Sequence, residues 1–174
     1  MASKALLEAL RRKAVRRGDF TLASGKRSDY YINLKEAYTD PEVLRIITRE
    51  IAGLLKGVEM DRIAGVAVGG VPLATALSLE LGVPFLIVRK EKKGYGTDVE
   101  VEGSLREGEE VVLVEDVTTT GGSVLAAAEA LERKGGRCRR VVVVVDRLEG
   151  AREALGAHGI ELIPLTTGEE LMRA

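Results

Sequence analysis

The chain has 174 residues, 45% of them apolar and 30% charged, which suits one domain with a sizeable core. Its net charge of −1 leaves no bulk electrostatic attraction to nucleic acid or to an anionic membrane. A single Cys (Cys138) and a single His (His158) exclude a disulfide framework, a Cys/His zinc site and any device needing two imidazoles.

Leu6, Leu7, Leu10 and Ala14 recur at helical spacing, with Ser3 as N-cap and Gly18 as stop. The basic cluster Arg11, Arg12, Lys13, Arg16 and Arg17 then forms a solvated helix face. Its order, apolar before basic, is the reverse of a signal peptide. No run approaches the roughly 20 apolar residues of a spanning helix, so a cytoplasmic protein with no membrane partner is expected. Residues 20–22 and 30–33 read as two extended pieces around a basic turn. Tyr30 and Tyr31 are neighbours there, so one faces the core and the other a pocket. Asp40 and Pro41 open a helix with the stripe Val43, Leu44, Ile47, Ile51, Leu54 and Leu55.

From residue 62 strands and helices alternate. Strands are expected at 63–68, 85–88, 111–114, 141–145 and 160–163, and helices at 73–81, 123–134 and 149–155. Continuous β-branched runs, such as the valines 141–145, mean strands covered on both faces. The fold class is therefore α/β, a doubly wound and mostly parallel sheet flanked by helices. A single domain spans 1–174, and residues 1–40 form an N-terminal cap. The polar, glycine-bearing stretch 90–110 breaks the rhythm and reads as a β-ribbon arm or a lid. Gln is absent and Asn33 is the only Asn, a bias that fits a thermophile or a skewed genome composition.

The richest motif begins with the apolar strand 111–114. Glu115, Asp116 and Val117 follow, then Thr118, Thr119, Thr120, Gly121, Gly122 and Ser123. Ligands of open α/β sheets bind at the carboxyl ends of strands. Small residues before a helix let backbone N–H groups cradle a phosphate, and the hydroxyls add donors. The adjacent carboxylates repel phosphate. They suit sugar hydroxyls, or Mg²⁺ held through water. The motif reads as a site for a phosphate and a diol.

This segment resembles the PRPP-binding motif of the type I phosphoribosyltransferases. Three further segments resemble the orotate phosphoribosyltransferases. They are Phe20-Thr-Leu-Ala-Ser-Gly-Lys-Arg-Ser-Asp-Tyr-Tyr-Ile-Asn33, the catalytic-loop pattern Arg89-Lys-Glu-Lys-Lys-Gly-Tyr-Gly96, and the strand end Val145-Asp-Arg147. With the pyrophosphate-side turn Gly69-Gly70-Val71-Pro72, the resemblance spans nearly the whole chain. It departs at Tyr95, where many members carry His, and at Gly69, where some carry Lys.

The resemblance implies transfer of the phosphoribosyl group of PRPP to orotate. The products are pyrophosphate and orotidine 5′-monophosphate, on the route to UMP. It implies Mg²⁺ held mainly by PRPP and water, and no metal ligand supplied directly by the protein. Glu115 and Asp116 would hold the ribose hydroxyls, and residues 117–123 the 5′-phosphate. Gly69 and Gly70 would face pyrophosphate through backbone N–H groups. Arg89, Lys90, Lys93 and Tyr95 would close over it. Lys26, Thr119 and Arg147 would contact orotate. Lys26, Lys93 and Asp116 would be the catalytic set. The family also implies a homodimer in which Lys90 or Lys93 acts in trans.

Simpler roles exist for some of these residues: a solvated turn for Lys26, a pairing with Asp146 or Glu149 for Arg147, and solvent exposure for His158. Two other functions share the sugar motif. One is a phosphoribosyltransferase for another base. The other is a PRPP-sensing regulator that binds nucleic acid. The segment 20–33 and Arg147 favour a carboxylated pyrimidine over the first. The absence of a basic surface or an appended domain disfavours the second.

Overall fold

The computed structural model describes residues 2–21, 27–92 and 97–173. Their elements, in chain order, are α1 (Lys4–Ala14), β1 (Val15–Thr21), β2 (Arg27–Ile32), α2 (Leu34–Tyr38), α3 (Pro41–Leu54), β3 (Arg62–Val66), α4 (Gly70–Leu81) and β4 (Phe85–Lys92). There follow β5 (Thr97–Glu102), β6 (Glu110–Thr118), α5 (Gly122–Arg133), β7 (Arg137–Asp146), α6 (Ala151–Gly156), β8 (Glu161–Thr167) and α7 (Gly168–Met172).

A six-stranded sheet has the order β5-β4-β3-β6-β7-β8, with every neighbouring pair parallel except β4–β5. Alternate residues of β6 serve opposite faces. Val112 and Val114 join a cluster with Leu10, Ile47, Leu73 and Leu77, beneath α1, α3 and α4. Val111 and Leu113 join a second cluster with Val124, Leu131 and Leu155, beneath α5 and α6. This two-sided burial accounts for the unbroken apolar runs of the central strands.

The first forty residues share the first cluster through Leu6, Leu10, Ile32, Leu34 and Tyr38. The antiparallel β1–β2 hairpin is the only part of this cap outside the helical layer among the described residues. Ser3 caps α1 by accepting from Leu6 N–H at 3.1 Å, as expected. The helix ends at Ala14, however, and not at Gly18. Val15, Arg16 and Arg17 pair with Ile32, Tyr31 and Tyr30 across the hairpin, so a β-ladder captures the chain four residues early. The basic cluster is accordingly not one helix face. Arg11 donates to the carbonyls of Glu170, Leu171 and Arg173, Lys13 meets Asp40, and Arg16 on β1 meets Glu36.

The 90–110 stretch also resolves. β4 continues to Lys92, four residues past its apolar half, because β5 pairs with the polar half in register. Arg89 faces Glu100, and its guanidinium meets both Glu100 and Glu102. The stretch is therefore a β-ribbon over residues 90–92 and 97–102, followed by a turn-bearing loop into β6.

β3 and β6 are neighbours whose following helices, α4 and α5, cover opposite faces, so a crevice opens at their carboxyl ends. The two strand ends meet closely. A Cβ on Gly65 would lie 2.6 Å from the Gly70 carbonyl oxygen, and one on Gly70 would lie 2.2 Å from that of Val114. Both obstacles are backbone atoms and cannot rotate away. Gly70→Ala should lower the urea midpoint, costing about 1–3 kcal/mol as overpacking. An unchanged midpoint would show that the turn has room to shift.

Candidate active site

β6 carries its apolar run out of the core and ends in the two acids. Glu115 turns inward and is only 7% exposed. Its Oε1 accepts from the backbone N–H of Asp116 at 3.0 Å, and Asp116 Oδ1 accepts from Val117 N–H at 2.8 Å. Burial, followed by the nearby charge of Asp116, pushes the Glu115 carboxyl up to about 8. Tyr38 lies close enough to feel both acids. Burial, then Asp116 and Glu115, push its phenol up to about 12.

Asp116 projects toward the β3–α4 turn. A Cβ on Gly69 would lie 2.3 Å from its Oδ2, so the carboxylate fills the space that a side chain there would need. This gives a physical reason for glycine where some resembling sequences carry lysine. The same Oδ2 lies 3.9 Å from Lys35 Nζ on α2.

Beyond Asp116 the chain enters the Thr/Gly loop. Thr118 is buried and paired with Asp146 at the sheet's end, and its carbonyl accepts from Arg147 N–H at 3.0 Å. Thr119, Thr120, Gly122 and Ser123 are exposed, so the open face of the cradle begins at Thr119. Gly121 has φ +83°, a left-handed conformation that only glycine adopts freely, and it turns the chain into α5.

A cavity of about 420 Å³ opens beside these groups. Asp116 and Lys35 line it side by side, Arg147 and Glu149 line it as well, and Val117 and Thr119 contribute from β6 and its loop. Thr21 and Tyr31 of the hairpin line it too. Of the two neighbouring tyrosines, Tyr31 is the one at the cavity, while Tyr30 packs against the core beneath Arg147. The Arg147 guanidinium sits 5.1 Å from the Tyr30 ring centroid and 3.2 Å from Glu149 Oε1 through Nε. Its side chain is only 9% exposed, and the buried Nε makes no hydrogen bond to a described group. Arg147 does pair with Glu149, but inside the cavity wall and not on an open surface.

The sequence-derived residues are thus partly assembled. Asp116, Val117, Thr119 and Arg147 share the cavity, with Glu115 beneath and Gly69 against Asp116. Gly70 is buried at the start of α4, and residues 120–123 lie past the cavity lining. Arg89 is engaged by the ribbon's glutamates, and Lys90 lies on β4 opposite Val99. Lys26, Lys93 and Tyr95 lie outside the described residues. Lys35, Glu149 and Tyr38 were not singled out for the site from sequence. A one-turn helix carries Lys35, and no local pattern brings it to a strand end eighty residues away. Two other residues lie away from the site, and His158 is exposed as expected. Cys138 is buried in β7 with its thiol pushed up to about 12, chiefly by burial.

A carboxyl raised on folding binds its proton in the native state across the window from its ordinary value up to about 8. Native stability then falls as pH rises through that window. Glu115→Gln removes the titration. Its stability relative to the parent should therefore rise between pH 5 and pH 8 in urea unfolding. A difference that stays flat with pH would mean that Glu115 is not held protonated by its surroundings.

A family model described as "Phosphoribosyl transferase domain" matches residues 34–156. The orotate phosphoribosyltransferase of Thermococcus gammatolerans is 52% identical over 89% of this chain and 83% of its own length. That of Methanocaldococcus jannaschii is 53% identical over 90% and 89%. Among solved structures, orotate phosphoribosyltransferase from Aeropyrum pernix superposes with a TM-score of 0.87 at 38% identity, covering 96% of both chains. The Mycobacterium tuberculosis enzyme in complex with PRPP superposes with a TM-score of 0.80 at 33% identity, covering 97% of both. The sheet order, the acid pair at a strand end and these relatives agree: the chain belongs to the orotate phosphoribosyltransferase family.

Proposed function

We propose that the acid pair, the Thr/Gly loop and the cavity beside them divide the work of phosphoribosyl transfer as follows. The chain is a pentosyltransferase that moves the phosphoribosyl group of PRPP onto orotate. The observation that carries the residue roles is the cavity that runs from Asp116 to Arg147. The ribose sits at the first, and the flat carboxylated base reaches the second.

The bond from ribose C1 to the diphosphate oxygen breaks, and a bond from C1 to the base nitrogen forms. Glycosyl displacement of this kind builds positive charge on the ring and negative charge on the leaving group. Asp116 accepts hydrogen bonds from the ribose hydroxyls and places negative field beside the cationic ring. Glu115 supports it from below through the Asp116 N–H. Backbone N–H groups and hydroxyls from Thr118 to Ser123 fix the 5′-phosphate and convert its binding energy into orientation at C1. Gly69 and Gly70 offer backbone N–H groups to the diphosphate. Arg147 and Thr119 meet orotate. A planar guanidinium held in the cavity wall by the Tyr30 ring and by Glu149 at Nε is pre-oriented to meet a planar anion with its remaining donors.

Mg²⁺ belongs to this proposal. It is held mainly by the substrate's diphosphate and water, and the partly exposed Asp116 carboxylate is a hard oxygen acceptor that would meet it through water. When bound it would neutralise the leaving group. Lys26, Lys93 and Tyr95 keep the roles that the resemblance implies, as does a homodimer in which Lys90 or Lys93 reaches the partner's site. A cytoplasmic location completes the reading. Among the described residues, no helix is long and apolar enough to cross a membrane.

The test is pyrophosphate release from PRPP with Mg²⁺, with and without orotate. Release should require orotate, and Arg147→Ala should raise the orotate KM about 10- to 100-fold while the PRPP KM stays near its parent value. Turnover with a purine base and none with orotate would overturn the assignment of the base. An unchanged orotate KM in the variant would remove Arg147 from the pocket.

A further inference from the structure

Polyanionic PRPP approaches a strand end that itself bears two acids. The turn assigned to the leaving group offers no cationic side chain: Ala67 and Val68 are apolar, and Asp116 fills the space beside Gly69. Among the described residues lining the cavity, the cations are Lys35 and Arg147. Arg147 is buried and opposed by Glu149. Lys35 differs in every respect. Its side chain is 61% exposed, and its Nζ lies 3.9 Å from Asp116 Oδ2, too far for a hydrogen bond. With the ammonium largely in solvent and no hydrogen bond to the more covered Asp116 carboxylate, the pair contributes little and is released at little cost. That Oδ2 is also an atom against which Gly69 packs, so Lys35 stands beside a turn that has no cation of its own.

The geometry points to Lys35 as a substrate-binding residue for the diphosphate of PRPP, supplied in cis from α2. Binding exchanges one partner for another. The ribose hydroxyls take over Asp116, and the released ammonium turns to the diphosphate. The four-carbon stem gives it the freedom to do so, and a compact ammonium suits a phosphate as a point charge. The exchange keeps Asp116 partnered both with and without substrate.

This inference rests on the phosphoribosyl-transfer reading, so its test uses a ligand that contains neither sugar nor base. The affinity of pyrophosphate with Mg²⁺ is measured by calorimetry on the full chain and on Lys35→Ala and Lys35→Arg. Ribose 5-phosphate serves as the second probe. Lys35→Ala should weaken pyrophosphate about tenfold and raise the PRPP KM comparably, leaving the orotate KM unchanged. Lys35→Arg should restore most of the pyrophosphate affinity. If Lys35 only holds Asp116 in place, ribose 5-phosphate affinity falls and pyrophosphate affinity does not move, which overturns the proposal. Equal pyrophosphate affinity in all three proteins overturns it as well. Failure of the parent chain to release pyrophosphate when given orotate would count against the parent reading. It would leave the pyrophosphate comparison intact.

Discussion

The site depends on one close approach. The β3–α4 turn presses on the end of β6 so tightly that Gly65 and Gly70 each lie against a backbone carbonyl, and Gly69 lies against the Asp116 carboxylate. The approach is possible because three glycines occur within six residues. It fixes the acid pair relative to the turn before any ligand arrives, and pre-organisation of this kind lowers the cost of ordering a site on binding. The sheet order then does the rest. Helices leaving β3 and β6 for opposite faces open the crevice at this contact, and the β1–β2 hairpin supplies one wall of it.

Charge around the crevice is arranged in unequal pairs. Glu115 is buried and favours its proton, while Asp116 beside it is partly exposed and faces a lysine. Two adjacent carboxylates thereby avoid carrying two full charges in one small space. Elsewhere in the cavity wall, Arg147 is held by Glu149 and by the Tyr30 ring. The acid pair suits hydroxyls and a developing cation, and the arginine suits a planar anion. A near-zero net charge conceals this separation.

Much of this was legible in the sequence, for identifiable reasons. The buried strands and the helices α3 and α5 carry strong periodicity or apolar runs, and the opening of α3 at Asp40 and Pro41 is a local signal. The acid–Thr–Gly segment is contiguous, so its chemistry can be read directly. Features set by partners distant in the chain were not legible. The early end of α1 depends on the ladder between β1 and β2, and the length of β4 depends on β5. The one-turn helices α2 and α7 are too short for a periodic signal. The choice between Tyr30 and Tyr31 depends on where Arg147 stacks. Lys35 reaches the acid pair only through the fold.

The central claim is that one strand end positions the whole sugar phosphate, with Asp116, backed by Glu115, on the hydroxyls and the Thr/Gly loop on the 5′-phosphate. A crystal structure of this chain with PRPP and Mg²⁺ tests it most directly. The account predicts the ribose hydroxyls on the Asp116 carboxylate and the 5′-phosphate on the N–H groups between Thr118 and Ser123. A 5′-phosphate seated instead at the Gly69–Gly70 turn, with the diphosphate in the Thr/Gly loop, would contradict it.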